Sequence, residues 1–195
     1  MSALFENDLP MGLDYGGRSY PIHTDFREWL RFEELLTDKD MPDRDKTMLM
    51  RDLIFPEAPP CPLPDLLEWI MWFYRCGKPR REVKQGSKAA PVCYSGEYDD
   101  DLILAAFWQV YGIDLSEISY MHWWKFHALF NGLPEGTKLG TVMGYRVMEI
   151  DKDMSAERKK QITEMKKIYA LPKPLSEIQR IEAAKRQKEA YQRGR

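Results

Sequence analysis

The chain has 195 residues, 44% hydrophobic and 12% aromatic, which is one domain's worth of core material and excludes wholesale disorder. Its 29 bases and 31 acids leave a net charge of −2, which argues against a dedicated nucleic-acid binder and a polybasic membrane-surface protein. No apolar run approaches the roughly 18 residues of a membrane span, and the first ten residues do not read as a secretory signal.

In chain order, the first predicted element is a hairpin. Met11 to Tyr15 and Arg18 to Ile22 flank Gly16-Gly17, a pair suited to the positive φ angles of a tight turn. The rest reads helical. Thr24 or Asp25 caps a helix, with Asp25 and Glu28 spaced as a capping box and Phe26, Trp29, Leu30 and Leu36 on the apolar side. Met41-Pro42-Asp43 breaks it, and Asp43 is expected to cap a short helix to Ile54. Five prolines between Pro56 and Pro64 make an extended connector, and Pro64 suits the first turn of the next helix. That helix carries Leu66, Leu67, Ile70, Phe73 and Tyr74 and ends at Gly77. Lys78 to Pro91 is polar, holds five bases and one acid through Lys88, and reads as a mobile loop.

Ser95 is expected to cap a helix with Ile103, Ala106, Phe107 and Val110 on one face and Gly112 as its stop. Met121 to Phe130 is apolar nearly all round, the pattern of a central buried helix. Gly132-Leu133-Pro134 breaks it, and Thr137 caps another helix to Met148. Ser155 to Tyr169 has a stripe of Ile162, Met165, Ile168 and Tyr169. Ser176 to Gln192 has only Ile178, Ile181 and Tyr191 as large apolar residues, so this last helix is expected to project or fray. The expected fold is therefore mainly α: a helical body with an N-terminal hairpin over residues 1–150, then a basic helical tail over 151–195. The charge divides the same way, with 16 bases and 24 acids in the body against 13 bases and 7 acids in the tail.

Little in the sequence suggests chemistry. Cys61, Cys76 and Cys93 form no C-x-x-C pair and read as reduced thiols of a cytoplasmic protein. His122 and His127 are five apart and do not share a helix face, no nucleophile elbow is present, and the glycines between Gly132 and Gly144 lack the ending of a phosphate loop. No catalytic residue, metal or cofactor is implied. The acidic run Glu97, Asp99, Asp100 and Asp101 reads as helix capping before a charged docking surface, and a metal site comes last. Trp123, Phe126 and Phe130 repeat at helical spacing and read first as core, yet Trp124 cannot point the same way as Trp123, so one of them can line a surface groove. Eleven methionines and 24 aromatic residues suit adaptable apolar surfaces. The candidates for partner contact are Trp108, Trp123, Trp124, Phe126 and Phe130, the acids Asp99, Asp100 and Asp101, and Met165 and Tyr169 in the tail.

Three stretches together go further: IHTDFREWLRFEELL (22–36), FYRCGK (73–78), and YDDDLILAAFWQVYGIDL (98–115) followed by HWWKFHALFNGL (122–133). In this order and spacing, over roughly residues 10–150, they resemble the bacteriophage gene-product-fifteen family of phages and prophages of Gram-positive bacteria. The resemblance implies a non-enzymatic protein of the host cytoplasm, encoded between the major tail protein and the tape-measure protein. That is the place of tail assembly chaperones, which coat the tape-measure protein until tube subunits polymerise around it. The implied partners are the tape-measure protein, further copies of the chain, an upstream chaperone partner and the major tail protein. Acidic body and basic tail can meet head to tail in an open-ended assembly. The other readings are a structural tail component retained in the virion and a nucleic-acid-binding accessory protein.

Overall fold

The computed structural model describes residues 8–80 and 91–172. Among these residues it is mainly α, with one two-stranded hairpin and seven helices. The basic loop beyond Arg80 and the last predicted helix, 176–192, lie outside the described residues. Strands β1 (Gly12–Tyr15) and β2 (Arg18–Pro21) pair antiparallel, with Gly12 opposite Pro21 and Tyr15 opposite Arg18. Gly16 and Gly17 take φ of 59° and 79°, as the turn requires.

Helix α1 (Phe26–Thr37) is capped by Asp25, whose carboxylate accepts from the Arg27 amide at 3.0 Å. It buries Phe26, Trp29 and Phe32. Leu36, expected inside, is 39% exposed because it lies in the last turn, one turn beyond Phe32. Helix α2 (Asp43–Ile54) has Pro42 at its cap position, not Asp43; Asp43 and Asp45 stand inside the first turn, where their charge meets the helix dipole. Helix α3 (Leu63–Tyr74) has Pro64 in its first turn, as expected. Its left-handed terminal residue is Cys76, with φ of 56°, followed by Gly77 with φ of 72°. The amide of Gly77 donates to the Trp72 carbonyl at 3.0 Å, and that of Cys76 to Phe73 at 2.9 Å, a Schellman ending. A Cβ on Gly77 would stand 2.9 Å from the Trp124 ring, so this position needs glycine for space as well as conformation.

Helix α4 (Asp100–Tyr111) starts later than expected. Ser95 closes a preceding turn by accepting from the Tyr98 amide, and Asp99 is the cap residue. Gly112 ends α4 at φ 66°. Helix α5 (Trp123–Asn131) is the buried central helix, and its cap is His122. Helix α6 (Lys138–Val147) is capped by Thr137, as expected, and helix α7 (Ala156–Ile168) by Ser155. On α7, Ile162 is fully buried, but Ile168, expected on the same stripe, is 62% exposed.

Helix α1 packs on α2 and α5, α4 on α6, and α6 on α7. The stretch before α1 runs alongside the stretch before α5: Phe26 N donates to Met121 O at 2.9 Å and Trp123 N to Thr24 O at 2.7 Å. This crossing brings the aromatic residues of both helices into one core. Phe126 stacks between Phe26 and Phe107 at centroid distances of 4.5 and 5.1 Å, and Trp29 stacks on Phe73 at 4.6 Å. Each buried indole N–H finds a carbonyl: Trp29 to His23, Trp123 to Tyr74 and Trp124 to Phe73, all at 2.9 Å. The expected boundary at 150 falls between α6 and a helix that packs on it.

Candidate functional site

Between α1 and α4 runs an open groove of about 930 Å³. Phe26, Leu30 and Leu35 line it from α1, Leu53 from the end of α2, Ile103 and Leu104 from α4, and Leu115 from the segment after α4. Arg27, Arg31 and Glu34 stand along α1, facing Glu97, Asp100 and Asp101 on the other rim.

Both ends of the groove are fastened. At one end the Arg27 guanidinium donates to Asp25, to Leu115 O at 2.9 Å and to Ile118 O at 2.8 Å, and lies over the Phe26 ring. This clamp fixes the turn after α4 against the start of α1. At the other end two adjacent acids of α1 hold residues 94–97. Glu33 accepts from the Tyr94 hydroxyl at 2.5 Å and from Tyr74 at 2.7 Å. Glu34 accepts from the Ser95 hydroxyl at 2.7 Å and from the Glu97 amide at 3.3 Å. Gly96 then packs on Leu30, where a Cβ would come within 3.0 Å of the leucine. A groove held at both ends loses little freedom when a ligand enters it.

Burial raises the Glu33 carboxyl above the ordinary carboxylate range; the two tyrosine hydrogen bonds offset only part of this, and neighbouring Glu34 adds to it. Burial likewise raises both tyrosine hydroxyls. The Cys76 thiol is pushed up to about 12 by burial, which leaves it an inert thiol at neutral pH. Cys61, Cys76 and Cys93 are all free and half-buried. Among the described residues no three His, Cys, Asp or Glu side chains converge as a metal site, and no helix is long and apolar enough to cross a membrane.

The predicted contact residues separate into surface and interior. Asp100 and Asp101 line the groove. Trp108 is 59% exposed and stands one turn beyond Leu104 on α4, extending the same apolar stripe. Trp123, Trp124, Phe126 and Phe130 are buried, which corrects their place among surface candidates: their rings form the core and are not open to a partner or a nucleobase. Asp99 is also internal. Its carboxylate pairs with Arg146 at 2.5 and 2.9 Å, with both side chains at least 95% buried. Met165 and Tyr169 are half-buried at the end of α7, where the Tyr169 ring lies under the Lys138 ammonium and beside Tyr145.

Sequence reasoning missed the leucines of the groove, the Arg27 clamp and the paired acids Glu33 and Glu34. Leu30 was expected on the core side of α1, but it faces the groove. The available signal was an excess: α1 carries more apolar residues than the Trp29–Phe32 face can bury.

The fold and groove define a mainly helical protein with an apolar groove rimmed by acids. The chain matches the Bacteriophage Gp15 protein family over residues 5–171 and belongs to that family. The match extends past the expected end near 150 to include the basic loop and α7. No curated protein and no solved structure matches the chain.

Proposed function

We propose that this family member is a non-enzymatic tail assembly chaperone of the host cytoplasm, and that the α1–α4 groove holds helical segments of the tape-measure protein. The observation that carries this reading is the groove itself, apolar within, charged at its rim and fastened at both ends. From Phe26 to Leu35 it follows α1 for about 14 Å, at about 1.5 Å per residue. That suits two turns of a helix presenting apolar residues at i, i+3 or i+4, and i+7. Trp108 extends the apolar surface along α4. A long helical partner kept from aggregating needs many such contacts, and modest affinity per copy suffices when copies line up along it. Self-association on that shared partner belongs to the same proposal, as do contacts with an upstream chaperone partner and the major tail protein.

The test is co-expression of the full chain with the tape-measure protein encoded beside it. A soluble complex is expected. Leu30→Asp with Leu104→Asp, both at half-buried groove positions, is expected to abolish capture while the helical circular dichroism stays unchanged. Equal insolubility of the tape-measure protein with and without this chain refutes the reading.

A further inference from the structure

The groove differs at its two ends. Arg27 meets Leu115 and Ile118, Leu30 meets Gly96, and Glu34 meets Ser95 and Glu97. Ascending numbers on α1 therefore face descending numbers on the other wall, and α1 and α4 run antiparallel along the groove. At one end α1 starts where α4 finishes; at the other α1 finishes where α4 starts. The positive end of one helix dipole lies beside the negative end of the other at both places, and the partial charges oppose each other. What remains is the charge of the side chains.

Those side chains divide by end. Arg27 stands at the Leu115 end with Arg31 one turn on, and both are matched: Arg27 pairs with Asp25 at 3.1 Å and Arg31 with Glu28 at 2.8 Å. Glu34, Asp100 and Asp101 stand at the Gly96 end. Glu34 accepts from neutral donors, the Ser95 hydroxyl and the Glu97 amide. Asp100 and Asp101 are exposed and accept from the amides of Asp101 and Leu102, each at 2.8 Å. Among the described residues none of these three carboxylates is paired with a base. A cleft with apolar walls and one sign of charge at its end focuses the field there.

We propose that the groove takes one chemical class of partner: an amphipathic helix whose apolar stripe ends in a cluster of Lys or Arg. The basic end sits over Glu34, Asp100 and Asp101, and the opposite end points toward Leu115. This rests on the reading of the groove as the site for helical segments, and adds to it a selection and a direction. The stripe fills the space between Leu30, Leu35, Ile103 and Leu104, and the bases supply the charge that the acids lack. A helix with the same stripe and an acidic end is turned away, because like charges then face one another. Where the bases lie at the same end of successive stripes, copies of this chain face the same way along a long partner.

Fluorescence anisotropy with the full chain and three synthetic helices tests this. All carry leucines at i, i+4 and i+7 on an alanine–glutamine background, and the last turn holds three lysines, three glutamines or three glutamates. At low salt the lysine helix is expected to bind about tenfold tighter than the glutamine helix, and the glutamate helix weakest, with the differences closing as salt screens the charges. Asp100→Asn with Asp101→Asn is expected to remove most of the lysine advantage and to leave the glutamine helix unchanged. A nitroxide at the lysine end is expected to broaden the Gly96 amide resonance of the nitrogen-15-labelled chain, and one at the other end that of Ser116. Failure of the lysine helix to bind, equal affinity for the lysine and glutamine helices, an advantage that survives the double substitution, or the reverse broadening overturns the proposal. If Leu30→Asp with Leu104→Asp nevertheless abolishes capture of the tape-measure protein, the reading of the groove stands without it; if capture persists in that variant, that reading falls as well.

Discussion

His122 uses both ring nitrogens structurally. Nδ1 accepts from the Trp124 amide at 3.0 Å to cap α5, which leaves Nε2 protonated to donate to Pro10 O at 3.1 Å. Burial holds its pKa below the usual imidazole value, with a smaller contribution from Lys125, against an opposing effect from the Pro10 carbonyl. As pH falls through the ordinary histidine range, the unfolded chain takes up a proton that the folded chain resists. The His122 contribution to stability is therefore complete above the unfolded value and is lost as pH falls toward the depressed folded value. His122→Asn keeps a cap acceptor and should remove this loss, while His122→Ala should cost about 1 kcal/mol even at neutral pH. Urea unfolding midpoints of the three proteins, above and below the histidine range, check both. Glu33 acts in the opposite direction. Its raised pKa means that the folded chain keeps a proton the unfolded chain has released, so stability falls as pH rises from the ordinary carboxylate value to the raised one. Glu33→Gln should flatten that fall, measured as a wild-type-minus-variant difference across the same interval. The His122 cap was hidden in the sequence because histidine is not among the preferred cap residues. Asp25 and Thr137 are among them, and their caps were legible.

At the scale of elements, one side chain joins four segments. Arg146 on α6 binds Asp99 before α4, the Cys93 carbonyl at 3.0 Å in the preceding loop and the Tyr169 carbonyl after α7. Removing one partner of a buried pair leaves the other charge uncompensated, so Arg146→Met should destabilise by about 3–5 kcal/mol. Replacing Asp99 with Leu in the same chain should recover part of that loss, because the stranded carboxylate is then gone. Denaturant titration measures both, and hydrogen exchange should show α7 losing protection first, since its end is held by the same guanidinium. Hydrophobic periodicity made the helices legible, as in the burial of Ile103, Ala106 and Phe107 on α4. It could not show that Asp99 leaves its capping role for Arg146, because that partner lies 47 residues away. The local pattern placed the start of α4 at Ser95, a turn before its cap at Asp99.

For the molecule as a whole, the groove depends on which helices meet. Leu30 and Leu104 line one surface although more than seventy residues separate them, and nothing in either helix's pattern names the other. Sequence identified the acids at the rim and the exposed Trp108 but assigned the Trp pair an open alternative, which the carbonyls of Phe73 and Tyr74 close by binding both indole N–H groups. The division into acidic and basic parts was legible as charge alone.

The crossing of the stretches before α1 and α5 also has a consequence for synthesis. Asp25 meets Met121 across 96 positions of sequence. At roughly 5–20 residues per second, a ribosome needs about 5–20 s to make the residues between them. Throughout that interval Phe26, Trp29 and Phe32 exist without the helix that covers them. The nascent chain is thus itself an exposed aromatic helix, and it stays one until the HWWKF segment leaves the exit tunnel.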